Sequence, residues 1–155
     1  MKKAILVYLL ALVLGGVMSL CTNLAARLSD KVIVDLRLEE PFDRFTTIME
    51  KADIEIDYDK IDAIVIIPLD TRYNGIYWEN SVYLSTNLQV PKGTSRAAEE
   101  DFVLYVLAHE IAHSQGMMHT PNDPWNLMYN SAEFALNLLY VKSIEEIILD
   151  AYCPD

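Results

Sequence analysis

The chain has 155 residues, enough for one domain and little more. Its formal net charge is −11, which excludes a nucleic-acid binder, because phosphate contacts need clustered Lys and Arg. Hydrophobic residues make up 52%, and part of that share belongs to an apolar N-terminus rather than to a folded core.

Lys2 and Lys3 precede Ala4–Leu20, a run without charge, and the first acidic residue is Asp30. A basic start followed by an apolar stretch is the pattern of an export segment. Residues 1–26 are therefore read as a signal peptide or an N-terminal membrane anchor, and 27–155 as the folded domain. Either alternative exports that domain, since the two lysines hold the N-terminus inside. The expected location is secreted, extracellular or periplasmic, with membrane contact only if the segment stays uncleaved. Cys21 and Cys153 are the two cysteines; they form a disulfide only if Cys21 survives processing, and spacing does not decide the pairing.

Lys31–Leu38 alternates apolar and polar residues and predicts a strand. Pro41 opens a short helix over Phe42–Lys51, with Phe45 and Ile48 at helical spacing. Asp53–Tyr58 alternates again and predicts a second strand. Ala63–Pro68 is a continuous apolar run, expected for a strand buried on both faces. Asn74-Gly75 is a turn signal, after which Gly75–Glu79 and Ser81–Ser85 read as two strands joined at Glu79-Asn80. Pro91-Lys92-Gly93 breaks the chain, and Thr94 or Ser95 caps a helix from about Arg96 to Gln115. That helix is apolar nearly all round from Phe102 on, which predicts a central, buried position. Ser143 and Glu146 form a capping box that starts a last helix, Ile144–Tyr152.

All three histidines of the chain fall in one short window, residues 109–119, which reads His-Glu-Ile-Ala-His-Ser-Gln-Gly-Met-Met-His. This is H-E-x-x-H-x-x-G-x-x-H with every specified position filled. His109 and His113, four apart on a helix, point their imidazoles to the same side one turn apart, so two nitrogens can grip one ion. Gly116 takes a positive φ cheaply and lets the chain fold back, which brings His119 to a third corner. Three protein ligands leave a fourth position for water, the arrangement of a catalytic zinc site. Glu110 sits beside the first ligand as the candidate general base. The short H-E-x-x-H recurs by accident; the glycine and third histidine make the extended pattern far more specific. The expected cofactor is one Zn2+ per chain.

On these residues the sequence resembles the metzincin clan of zinc endopeptidases. Asn126-Leu127-Met128-Tyr129 looks like the clan's Met-turn, in which a methionine lies beneath the zinc-binding histidines. Leu-Met-Tyr resembles the matrixin branch, although Thr120 stands where matrixins usually carry serine and Asn130 where they usually carry proline. The specific part of the resemblance covers 109–129; over the rest it lies in the order of elements.

The resemblance implies an α+β, zincin-type fold: a twisted, mostly parallel five-stranded sheet with an antiparallel edge strand, a central zinc-binding helix, the Met-turn and a C-terminal helix. It implies an exported endopeptidase acting on a peptide or protein substrate. Its edge strand would be Gly75–Glu79, with Gly75, Ile76, Tyr77 and Trp78 pairing with bound peptide through the main chain. Tyr105, one turn before His109, would help floor the pocket for the residue after the cleaved bond. Two other readings stay open: a zinc amide hydrolase acting on a non-peptide substrate, and a zinc-stabilised cell-surface binding module without turnover.

Overall fold

The computed structural model describes residues 32–90, 94–129 and 132–153, the side chains of 132–134 excepted. The chain divides into two units, Met1–Val32 and Ile33–Asp155, and the elements belong to the second. The signal-or-anchor segment and Cys21 lie outside the described residues. Among the described residues no helix is long and apolar enough to cross a membrane, and Cys153 is an exposed free thiol.

The elements run β1 (Ile33–Val34), α1 (Glu39–Lys51), β2 (Ala63–Ile67), β3 (Gly75–Trp78), β4 (Ser81–Ser85), α2 (Arg96–Ser114), α3 (Ala132–Leu139) and α4 (Ile144–Tyr152). The class is α+β. Among the described residues, four strands form one mixed sheet in the order β1-β2-β4-β3. β1, β2 and β4 are parallel, and β3 is an antiparallel edge strand.

The expected five-stranded sheet is corrected to four, because Asp53–Tyr58 forms no strand. Asp53 takes a left-handed φ of 57° and ends α1, with Ile54 N–H donating back to the Met49 carbonyl. The following main chain pairs with a side chain instead of a strand: Asp57 N–H donates to Gln115 Oε1 at 3.0 Å, and Gln115 Nε2 donates to the Asp57 carbonyl at 3.3 Å. Alternation there marks a face, with Ile56 buried, and not a ladder.

Lys31–Leu38 shrinks to the two residues of β1 for a similarly local reason. The Asp35 carboxylate caps a 3₁₀ turn over Leu36–Leu38 by accepting from Arg37 N–H, so short-range bonding outcompetes the ladder. Leu38 is buried and Leu36 is left in solvent. β2 is shorter than expected by Pro68, and only Ile64 within it is fully buried, its neighbours being half-exposed. α1 begins three residues early, at Glu39, with Pro41 in its first turn, where a missing N–H costs nothing. α3 has no counterpart among the elements expected from the sequence.

The hairpin forms as its sequence predicts. Glu79 and Asn80 take φ of 46° and 58°, the pair of positive values that a tight two-residue connection requires. In β4, Val82 pairs with Ile64 of β2, and both are fully buried.

α2 packs on β3 and β4 and touches α1, α3 and α4. Phe102, Leu104, Leu107, Ala108 and Ile111 are fully buried along it, which fits a helix apolar on nearly all sides. Ser95 caps its start by accepting from Ala98 N–H. At its middle, Tyr152 of α4 donates its hydroxyl to the Ala108 carbonyl at 3.0 Å. Arg44 of α1 ties to Asp101 of α2 at 2.8 Å and approaches Glu145 of α4 at 3.9 Å. The capping box of α4 is complete, with both the Ser143 and Glu146 side chains engaged. The Tyr152 and Arg44 ties fix the helix that carries the histidines against α4 and α1.

Candidate metal centre

α2 delivers His109 and His113 on one side, as their spacing requires. The helix then ends at Gly116, whose φ is 89°, a value that disfavours any side chain. Met117 N–H reaches back to the Ala112 carbonyl and Gly116 N–H to that of His113, the bonding of a Schellman stop. The chain reverses and carries His119 back over the helix.

The three imidazoles converge. His119 Nε2 lies 3.2 Å from His109 Nε2 and 3.1 Å from His113 Nε2. One ligand atom from each ring lies within 4.8 Å of the others. Ligands about 2.05 Å from a tetrahedral zinc stand about 3.3 Å apart, so this donor set fits a single ion of that size. His109 is buried, His113 half-buried and His119 exposed, which leaves one side of the triad open to solvent.

Main-chain carbonyls choose the tautomers. His109 Nδ1 sits 2.8 Å from the Leu127 carbonyl and His113 Nδ1 2.9 Å from that of Met117. A carbonyl oxygen can only accept, so each Nδ1 carries its proton and each Nε2 keeps a lone pair for a metal. Burial lowers His109 to about 4, and the neighbouring His113 and His119 add to this against the Leu127 bond. Burial also lowers His119, helped by the charge of His113. Neutral imidazoles are the form a metal needs.

Glu110 is buried beside His109. Burial pushes its carboxyl up to about 8, opposed by a hydrogen bond from the Tyr77 main-chain N–H. α2 therefore holds Glu110 against the edge strand β3. Of the residues expected to receive substrate, Gly75, Ile76 and Tyr77 are half-buried in β3 and Trp78 is exposed at its end. Tyr77 donates its hydroxyl to the Lys60 carbonyl at 3.0 Å.

Residues 126–129 make a tight turn: Tyr129 N–H donates to the Asn126 carbonyl, and Met128 N–H to Asn126 Oδ1 at 2.9 Å. Thr120 N–H donates to the Met128 carbonyl, which fastens the segment after His119 to this turn. Met128 is buried. Tyr105 is buried too, and its hydroxyl donates to the Leu127 carbonyl at 2.8 Å. That carbonyl thus serves Tyr105 and His109 together. Neither it nor the Tyr77 amide was foreseen, because main-chain groups leave no mark in a sequence pattern.

Comparison of the chain with protein-family models, with curated proteins and with solved structures finds no match.

Proposed function

We propose that the protein is an exported zinc endopeptidase with a metzincin-type, matrixin-like catalytic domain. The observation that carries this reading is the convergence of three Nε2 atoms beside a buried glutamate held at the open side of a sheet. His109, His113 and His119 hold the ion; burial keeps His109 neutral, and the carbonyl bonds at Nδ1 leave Nε2 of His109 and His113 to face it. When bound, zinc supplies the Lewis acidity that makes a water nucleophilic near neutral pH and polarises a scissile carbonyl.

Glu110 acts as the general base and acid. Its carboxylate takes the proton of the attacking water and returns it to the leaving amine. β3 supports a peptide substrate over a compact amide, because an antiparallel edge strand beside the site is where an extended chain can add a strand. Gly116 shapes the return of His119, and Met128 is packing beneath the site. Neither cysteine takes part.

The deciding experiment incubates the protein with a diverse peptide library, with and without a zinc chelator, and identifies cleaved bonds by mass spectrometry. Chelator-sensitive cleavage at defined bonds is the expected result. A protein that holds its zinc and cleaves nothing is a binding module and overturns the proposal. Cleavage of small amides but no peptides favours the amide-hydrolase reading.

A further inference from the structure

The residue that lets Glu110 reach its place lies on a different element. Main-chain bonds alternate along an antiparallel pair. Ser85 N–H donates to the Asn74 carbonyl at 2.8 Å, and Ile76 and Trp78 lie opposite Tyr83 and Ser81 in the same register. Ile76 and Trp78 therefore turn their main chain toward β4, and Gly75 and Tyr77 turn theirs toward the open edge. The Tyr77 main-chain amide on that edge is the group that lowers Glu110 against its burial.

Gly75 is where the two elements come closest. A methyl group at position 75 would fall 2.7 Å from both Cγ and Oε1 of Glu110 and 2.9 Å from Cγ1 of Val106. Carbon atoms do not approach that closely without displacement. Val106 and Glu110 are one helical turn apart, so the side of α2 that faces β3 at this point is made of these two residues. Gly75 has an ordinary negative φ, unlike Gly116. Its lack of a side chain thus serves clearance, and not backbone conformation.

We propose that Gly75 is a positioning residue for Glu110: the bare main chain of β3 admits the Glu110 side chain to the open edge, where the Tyr77 amide fixes the carboxylate. Any side chain at 75 pushes the carboxylate off this amide while leaving the three imidazoles in place. The kinetic part rests on the endopeptidase reading, and the stability part does not.

The test compares Gly75→Ala, Glu110→Ala and the double variant in the full chain. Gly75→Ala is expected to keep one zinc, to lower the thermal midpoint by roughly 5 °C or more, and to lower kcat by roughly a hundredfold with KM little changed. Zinc retention and a kcat-specific loss separate this from general damage to the sheet. In the Glu110→Ala background the same Gly75→Ala change should cost clearly less stability, because the two Glu110 contacts are removed and only Val106 Cγ1 remains close. If Gly75→Ala fails to fold, recovery of folding in the double variant supports the proposal. Additive stability losses, or failure of both variants to fold, overturn it. Should the wild-type protein show no turnover, the endopeptidase reading fails, and the stability comparison still decides whether Gly75 positions Glu110.

Discussion

The ring of His109 is fastened to the main-chain carbonyl of Leu127 across 2.8 Å. This bond joins the zinc-motif helix to the turn 126–129 and aims Nε2 of His109 at the other two imidazoles. An imidazole placed where it could bind a metal is thereby oriented beforehand, which reduces the ordering that binding would require.

One zinc per chain is the first expectation, with tight binding lost on replacing His109, His113 or His119 by Ala. Their three Nε2 atoms converge, and among the described residues no other group of His, Cys, Asp or Glu is assembled for a metal. Elemental analysis of the purified protein and its variants checks this. Full zinc in His113→Ala would contradict the site.

Glu110→Gln should keep the zinc and the fold and lose peptide cleavage by roughly a hundredfold or more, the usual scale for a general base. The amide replaces a buried carboxyl of nearly equal size, so the packing against β3 survives. Retained turnover in this variant means that another group moves the proton.

Met128→Leu tests the role of the turn. Met128 is buried, and its own N–H is held by Asn126 Oδ1, so the turn does not depend on its sulfur. The substitution roughly conserves volume and should cost less than about 1.5 kcal/mol, with zinc content and cleavage nearly intact. Loss of zinc from a folded Met128→Leu protein would falsify the packing role.

Tyr105 is best probed by two substitutions. Tyr105→Phe removes one buried hydrogen bond while His109 still satisfies the Leu127 carbonyl, so it should cost about 1 kcal/mol in denaturant unfolding and keep zinc. Tyr105→Ala opens space one turn before His109 and should shift cleavage preference toward longer side chains after the scissile bond. An unchanged preference profile in that variant removes Tyr105 from the pocket.

The protein freed of metal by a chelator should be less stable at pH 8 than at pH 6.5. The folded state lowers His109 from 6.5 to about 4, so between those values the unfolded chain binds the extra proton and stability rises with pH. It raises Glu110 from 4.5 to about 8, so over that range the folded chain binds the extra proton and stability falls as pH rises. The two effects oppose each other between about 4.5 and 6.5. Above 6.5 the opposing histidine effect, to which the lowered His119 also contributes, fades and Glu110 dominates, so stability should drop by roughly 1 kcal/mol by pH 8. Zinc beside the carboxylate favours its charged form and should remove the drop. Urea midpoints across this range, with and without zinc, check both statements; a chelated protein that gains stability from pH 6.5 to 8 contradicts them.

Several parts of this molecule were legible from residues alone, because their causes are local. Spacing by four puts His109 and His113 on one side of a helix, and Gly116 reverses the chain because only glycine takes its φ cheaply. Ser95 and the Ser143–Glu146 box mark helix starts through bonds to their own next turn. Glu79-Asn80 makes a hairpin because both residues tolerate positive φ. Where the reading failed, a local rule met a competitor. Asp35 capped a turn inside an apparent strand, and the Gln115 side chain took the main-chain bonds of Asp57 that a fifth strand would have used. α3 was passed over although Ala135, Leu136 and Leu138 bury themselves in it; that apolar spacing was the available signal.

Helical periodicity and one glycine suffice to bring three imidazoles and a carboxylate together on one helix and its return, so this part can be read from residue order. What orients these groups depends on packing between segments. The Leu127 carbonyl that fixes His109, the Tyr77 amide beside Glu110 and the clearance at Gly75 all lie outside the eleven residues of the histidine motif, in the turn 126–129 and on β3. Two are main-chain groups and the third is a missing side chain. Such contacts depend on how β3 and the turn 126–129 pack against α2, and no residue pattern encodes them because every residue carries the same backbone.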